Sequence, residues 1–364
     1  MPTAARIVVL PQQQGPLEIV DVELPDPGPH QVVVRQFASG ICHSQLHQMH
    51  ADRDQPVMLG HESTGVVLHC GSEVSHVVSG DIVLVTWVPR DRSATTRLPE
   101  AATLTLPDGS VASCQNVFTW ADHTIADEQY VVKVDSDIDR EVTSIVGCAV
   151  MTGAGAVANT AKVQRGDSVA VFGAGGVGLS AVVAAKAIGA HPIIVVDLDD
   201  EKLAFAEDFG ASHCINANNI DPVAAIQDLT RDKSRSTIGS GPVEGADFVF
   251  DCIGIKTTME QILPAARSGY FGAESGGTAV LVGVPTTTVE LNAIDLLVQE
   301  KKFIGSIGGS CRPDRDFPTF LQWQKEGKID LHAMVSKRYT LDEINEATRA
   351  LQAGEIKGRS IIVF

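Results

Sequence analysis

The sequence lacks the features that mark several protein classes. Its seven cysteines (Cys42, Cys70, Cys114, Cys148, Cys214, Cys252 and Cys311) are scattered without a CxxC pair. An odd, sparse set does not encode a disulfide framework, and reduced thiols in a cytoplasmic enzyme are the expectation. Basic residues are in deficit, 28 Lys+Arg against 45 Asp+Glu, for a formal net charge of −17. A phosphate surface would repel such a molecule as a whole, which argues against nucleic acid and anionic membrane as partners. Any polyanionic ligand must be held by locally placed donors. Long apolar runs are missing too. The N-terminal MPTAARIVVLPQQQ has too short a run for a signal peptide. One uncharged stretch of eighteen residues, Ser168 to Ala185, holds four glycines within six positions, which suits a strand–turn–helix better than a membrane span. There is no internal repeat and no low-complexity tract.

What is present suffices for a large core. At about 150 residues per domain, 364 residues favour two domains. With 44% hydrophobic and 20% charged residues, wholesale disorder is excluded. The first 150 residues read as short β-rich segments (RIVVL, EIVDVEL, QVVVRQF, GVVLHC, DIVLVTW, VVKV) broken by Gly and Pro. Beyond them VAVFG leads into LSAVVAAKAIGA, PIIVVD into DEKLAFAEDFGA, DFVFDCIG into KTTMEQILPAARSG, and TAVLVGV follows. That alternation predicts an α/β fold with a doubly wound parallel sheet covered on both faces by helices. After residue 305 come two helical stretches, PTFLQWQKEGK and LDEINEATRALQAG, and an apolar strand, SIIVF. Domain boundaries fall near residues 150 and 305, and spacing alone leaves open whether the C-terminal tail rejoins the first domain.

Gly173-Ala-Gly175-Gly176-Val177-Gly178 fits GxGxxG, a weak signal alone. Its context strengthens it: a β-branched strand precedes, a helix follows, and a second strand ends at Asp197, nineteen residues past Gly178. Gly173 permits the tight turn, Gly175 lets the backbone approach a pyrophosphate, and Gly178 allows close helix–strand packing. Asp197 would accept hydrogen bonds from an adenosine ribose and repel a 2′-phosphate, favouring NAD over NADP. Lys202, one turn into the next helix, either supports the same ribose or is a solvated surface lysine.

Cys42-His43-Ser44-Gln45-Leu46-His47, Gly60-His61-Glu62 and Gly147-Cys148 offer metal donors. A catalytic zinc takes three protein ligands and keeps one open position. Cys42, His61 and Cys148 lie 19 and 87 residues apart, however, so two buried cysteines and a hydrogen-bonded histidine explain the same residues.

The segments GICHSQLH, LGHESTGVV, the Gly80-Asp81 turn, GCAVMTGAGAVANTAKVQRGDSVAVFGAGGVGLSAVVAAKAIGA and VVDLDDEKLAFAEDFGA occur in that order. Together they resemble the zinc-dependent alcohol dehydrogenases of the medium-chain dehydrogenase/reductase family, from about residue 6 to Phe364. The resemblance implies a GroES-like catalytic domain over 1–149 and 306–364 and an NAD-binding Rossmann domain over 150–305. It implies Cys42, His61 and Cys148 as ligands of a catalytic zinc, with Glu62 as a carboxylate that can approach the metal. It implies that Ser44 hydrogen-bonds the substrate oxygen and, with His47, relays its proton through the nicotinamide ribose to solvent. His43 and Arg359 match pyrophosphate contacts, Thr152 and Val177 match positions against the nicotinamide ring, and Trp87 and Cys114 match the substrate pocket. Each has a plainer alternative: a turn or helix-surface role for Ser44 and His47, core for Trp87, solvation for Arg359.

The pattern breaks twice. Relatives carry a second, structural zinc on four closely spaced cysteines, but the corresponding WVPRDRSATTRLPEAATLTLPDGSVASC holds only Cys114, so one zinc per chain is expected. That lobe lies near subunit contacts in relatives, so a homodimer and a homotetramer both stay open. Gln45 stands where relatives hold an Asp that supports the ligating histidine. An amide can orient His61 through its carbonyl oxygen but adds no charge, which predicts a more electrophilic, less firmly retained zinc. The implied reaction is oxidation of an alcohol to its aldehyde or ketone with hydride transfer to NAD. Three rivals share the fold: a zinc-free NADPH reductase, a zinc lyase, and a non-catalytic NAD-binding protein. The metal donors, Asp197 and the Ser44–His47 pair disfavour them. Formaldehyde–thiol adducts, aliphatic alcohols and larger ring alcohols all remain open as substrates.

Overall fold

A computed structural model describes residues 3–13, 15–91, 97–237, 241–269 and 274–364. The chain forms two compact units. One comprises the residues through Ala149 with Arg312–Lys325 and Asp330–Phe364; the other comprises Val150–Cys311 with Glu326–Ile329.

The first unit is built on short strands. β1 (Thr3–Leu10), β2 (Glu18–Leu24), β3 (Gln31–Ile41), β4 (Val57–Met58), β5 (Glu62–Cys70), β6 (Ile82–Thr86), β7 (Thr103–Thr105), β8 (Val111–Ser113), β9 (His123–Asp127) and β10 (Val131–Lys133) form two sheets. One runs β2-β1-β4-β8-β7; the other includes β10-β6-β5-β3 with β9 also on β3. β6 (IVLVT) is buried at every position, so it reads as an unbroken apolar run rather than an alternation. Val32, Val34, Val67, Val83, Val85 and Val131 pack together from neighbouring strands, each such side chain contributing about 1.5–3 kcal/mol. The helix α1 (His43–His50) starts at Cys42, with Gln45 three residues in closing a capping box.

All of α2 (Ala149–Gly155) but its first residue belongs to the second unit, and it runs into a π-helical turn, Ala156–Ala161, ended by Lys162 at φ 57°. Its sheet contains β11 (Val169–Phe172), β12 (Ile193–Asp197), β13 (His213–Asn216), β16 (Phe248–Asp251), β17 (Thr278–Leu281) and β18 (Lys302–Gly305), while β14 (Asp232–Thr237) and β15 (Gly241–Val243) form a separate ribbon. The order β13-β12-β11-β16-β17-β18, parallel throughout, is the doubly wound arrangement whose crevice opens at the carboxyl ends of the strands. α3 (Gly176–Ile188), α4 (Asp200–Phe209), α5 (Pro222–Thr230), α6 (Lys256–Ala265) and the five-residue α7 (Ala293–Leu297) belong to this unit. Local chemistry sets their starts: the Asp199 carboxylate caps α4, and Asp221 caps α5 just ahead of a proline at its first position.

The C-terminal residues add α8 (Pro313–Lys325), α9 (Leu331–Met334), β19 (Val335–Tyr339), α10 (Ile344–Gln352) and β20 (Arg359–Val363). β20 pairs antiparallel with β3, Ser360 opposite Ile41, and parallel with β19. β19 was invisible to hydropathy patterning because only Val335 and Tyr339 of its five residues are buried. The β7–β8 hairpin leaves no signal in the hydropathy pattern because three-residue strands carry almost no period; its turn uses Gly109 at φ +86°.

Candidate active site

Three elements deliver the metal donors. Cys42 sits where β3 gives way to α1, and His61 follows Gly60, whose φ of +93° turns the chain into β5. Cys148 follows a 3-10 segment, Val142–Gly147, whose last carbonyl accepts the Thr86 hydroxyl at 2.7 Å. One ligand atom from each of Cys42, His61 and Cys148 lies within 4.8 Å of the others, the only such group of three among the described residues. The two sulfurs are 3.9 Å apart. His61 Nε2 is buried and has no hydrogen-bond partner. An orphaned imidazole nitrogen beside two thiols is the donor set zinc prefers, and it leaves a fourth position open.

The charges agree. Contact with Cys148, the Arg359 guanidinium and His61 hold the Cys42 thiol well below its ordinary range, against its burial. The same contact with Cys42, together with burial, pushes the Cys148 thiol up. Glu62 is fully buried; burial raises its pKa, and Arg359, in direct contact with its carboxylate, works the other way. Burial disfavours the Arg359 charge, but Glu62 and Cys42 more than offset it.

Sequence reasoning missed the residues that make room for Glu62. A Cβ at Gly40 would lie 2.3 Å from Glu62 Oε1, and one at Gly147 would lie 3.1 Å from Glu62 Cβ. A glycine within a β segment signals a close approach, but not by what.

Around the donors, Ser44 Oγ is buried without a partner, while His43 and His47 lie on the exposed side of α1. The Trp87 ring meets His61 edge-on, with centroids 6.4 Å apart, and its Nε1 is also unpartnered. Gln45 departs from the expected orientation. Its carbonyl accepts the Cys42 N–H at 3.1 Å, so its NH₂ rather than its oxygen faces His61 Nδ1, at 2.5 Å. Arg359 is 5% exposed and engaged with Glu62. Cys114 is not brought to this group. It packs with Ala102, Leu104, Leu106 and Ala112, donates to the Ala102 carbonyl at 3.4 Å, and is pushed by burial up to about 12. Residues 92–96 of that lobe lie outside the described residues. Arg97, just beyond them, makes a bidentate pair with the buried carboxylate of Asp127 at 2.6 and 2.9 Å.

In the second unit the glycine turn has the geometry a dinucleotide needs. Gly173 adopts φ +98°, and a Cβ at Gly178 would lie 1.7 Å from the Gly173 carbonyl oxygen. Nothing lies within 4 Å of a Cβ at Gly175, and no side chain caps the α3 N-terminus there. Gly176 and Val177 form its first turn. Asp197, at the end of β12, accepts the Ala174 N–H at 2.7 Å and the Leu198 N–H at 2.8 Å, tying the turn to the next strand. Lys202 is half-buried, and its N–H is capped by Asp199. Thr152 Oγ1 is buried without a partner. Gly153, another residue without a sequence signal, lets α2 touch α3, since a Cβ there would meet the Val177 carbonyl at 2.1 Å.

Residues 28–136 match the alcohol dehydrogenase GroES-like domain and residues 176–326 the zinc-binding dehydrogenase domain. The chain is 33% identical to an alcohol dehydrogenase class-3 from Cereibacter sphaeroides, with 99% of each chain covered. It is also 33% identical, with the same coverage, to an S-(hydroxymethyl)glutathione dehydrogenase from Paracoccus denitrificans. The chain belongs to the zinc-dependent alcohol dehydrogenases of the medium-chain dehydrogenase/reductase family. Solved structures of zinc-dependent alcohol dehydrogenases carry the same fold. Benzyl alcohol dehydrogenase from Acinetobacter calcoaceticus superposes with a TM-score of 0.84 at 28% identity, covering 100% of this chain and 99% of that one. Zinc and NAD(H) are the cofactors of this family of oxidoreductases, and a small-molecule alcohol is its substrate. No helix among the described residues of this dehydrogenase is long and apolar enough to cross a membrane.

Proposed function

We propose that this dehydrogenase interconverts an alcohol and its aldehyde or ketone, with NAD as hydride partner and one zinc, held by Cys42, His61 and Cys148, as its whole metal complement. The observation that carries the reading is the buried, unpartnered His61 Nε2 beside two sulfurs 3.9 Å apart. A zinc held by Cys42, His61 and Cys148 would supply polarisation of the substrate oxygen, and a bound NAD would supply the hydride acceptor. The protein's residues do the rest. Ser44 Oγ, buried and unpartnered, would take up the hydroxyl proton and pass it toward His47, three residues on in α1, whose exposed ring would release it to solvent. Glu62, balanced by Arg359, is a carboxylate within reach of the metal when ligands exchange. Arg359 therefore serves Glu62 first, and it and His43 would also meet the cofactor pyrophosphate.

In this reading residues 1–149 and 306–364 form the catalytic domain and 150–305 the NAD-binding domain. The glycine turn of Gly173, Gly175, Gly176 and Gly178 receives the pyrophosphate, Thr152 and Val177 flank the nicotinamide ring, and Asp197 with Lys202 holds the adenosine ribose. Cys114 serves the core of the lobe, where apolar packing and the Arg97–Asp127 pair stand in for a structural zinc. The flat Trp87 ring suits primary or aromatic alcohols. An NAD-coupled screen across formaldehyde–thiol adducts, aliphatic alcohols and ring alcohols tests this. NADH formation with none of the three, from zinc-loaded protein, contradicts the reading. Seven free cysteines accord with a cytoplasmic location.

Replacing Asp197 by Gly should raise KM for NAD about tenfold or more and relieve repulsion of NADP. Asp197→Asn keeps an acceptor for the Ala174 N–H and should shift the NAD/NADP ratio in the same direction. Steady-state kinetics with both cofactors decide, and an unaltered ratio removes Asp197 from this role.

A second copy of the chain is the partner we assign to the β18 edge. Among the described residues β18 ends its sheet with one side unpaired, and Ile294, Leu297 and Ile307, close to it in sequence, are 62%, 81% and 64% exposed. Light scattering should give a homo-oligomer, and Leu297→Glu should shift it toward monomer.

A further inference from the structure

The ladder between β3 and β5 stops just before the residues that matter most to the site. Its last pair joins Ser39 to Ser63, one residue short of Glu62. There two hydroxyls take over. Thr119 Oγ1, in the stretch leading into β9, lies 3.2 Å from the Glu62 nitrogen and 3.2 Å from its carbonyl oxygen. Ser39 Oγ lies 2.9 Å from the same carbonyl oxygen and 2.8 Å from Thr119 Oγ1, and Ser39, Glu62 and Thr119 are all fully buried. The hydroxyls can share their protons in either direction, and the Glu62 carbonyl has a donor in both cases. The Glu62 N–H can only donate, so Thr119 Oγ1 is its acceptor. That N–H belongs to the planar peptide joining His61 to Glu62, so holding it fixes how the chain leaves His61. The same stretch holds the chain on the other side of His61. The Thr119 and Trp120 N–H groups donate to the Leu59 carbonyl at 3.1 and 3.0 Å, and a Cβ on Gly60 would lie 2.3 Å from the Trp120 nitrogen.

We propose that Thr119 is a positioning residue for the His61 ligand, acting through its hydroxyl on the His61–Glu62 peptide. Residues 59 to 62 wrap around it, and His61 lies between the two points of attachment. Ser39 is the lesser partner, because the Thr119 hydroxyl is within reach of the Glu62 carbonyl without it, whereas Ser39 has no contact with the Glu62 N–H to offer in return. The proposal rests on the zinc reading of Cys42, His61 and Cys148.

Chelator competition on the zinc-loaded protein and three variants tests it. Thr119→Val keeps the side chain's shape and loses the hydroxyl, so zinc affinity should fall about tenfold or more. Thr119→Ser loses the methyl and keeps the hydroxyl, so it should bind zinc as the unaltered chain does. Ser39→Ala should fall between the two. A residue that merely fills space gives the opposite order, with Thr119→Val harmless and Thr119→Ser harmful, and that order overturns the proposal. Equal affinities in all four proteins overturn it as well. If Thr119→Val does not fold, Thr119→Ser still decides, since retained affinity supports a hydroxyl role and a tenfold loss contradicts it. An unaltered chain that takes up no zinc overturns the metal site itself, whereas zinc uptake indifferent to Thr119 overturns the positioning role alone.

Discussion

Replacing Cys148 by Ala should lower kcat/KM at least about a thousandfold for any alcohol the enzyme oxidises, with zinc content falling well below one per chain. Two sulfurs and one imidazole are all the donors in the cluster. Losing either sulfur leaves two, too few to hold zinc while keeping a position open for substrate. The variant also removes the sulfur that lies 3.9 Å from Cys42 Sγ. Metal content and steady-state kinetics on one preparation check both parts. A variant that keeps zinc and activity would mean that Cys148 is simply a buried thiol.

Two glycines of the nucleotide turn should respond in opposite ways to the same methyl group. Gly178→Ala should lower stability by about 3 kcal/mol, because the new Cβ would lie 1.7 Å from the Gly173 carbonyl oxygen and push α3 off its strand. Gly175→Ala should leave stability unchanged within about 0.5 kcal/mol. Its φ of −77° suits alanine, and no atom lies within 4 Å of the added carbon. Its effect should fall on the cofactor, with NAD affinity dropping about tenfold or more as the methyl occupies the backbone face the pyrophosphate approaches. Thermal unfolding and NADH titration of both variants separate the two roles. A Gly175→Ala protein that binds NADH normally would place the pyrophosphate elsewhere.

The contrast between these sites shows where the sequence was legible. The glycine turn could be read because its chemistry is contiguous: strand, turn, helix and Asp197 all fall within 29 residues (169 to 197) and follow local rules. Cys42, His61 and Cys148 could not be joined by spacing, since nothing local tells a chain that residues 19 and 87 positions apart will meet. Resemblance to a family joined them. Gly40, Gly147 and Gly153 are defined by what approaches them from elsewhere in the chain, which no local pattern encodes. Gln45 was legible as a departure but not in its consequence. The expectation that its carbonyl orients His61 overlooked the Cys42 N–H, a helix-capping donor that claims the same oxygen. Cys114 was drawn toward the substrate by likeness alone; it follows the β7–β8 hairpin and is buried among that lobe's alanines and leucines.

The central claim concerns one metal and its three donors, and X-ray absorption at the zinc edge, paired with elemental analysis of the purified protein, addresses it most directly. The account predicts one zinc per chain with two sulfur neighbours at about 2.3 Å and an imidazole nitrogen at about 2.0 Å. No zinc, or a metal surrounded by four sulfurs, would contradict it.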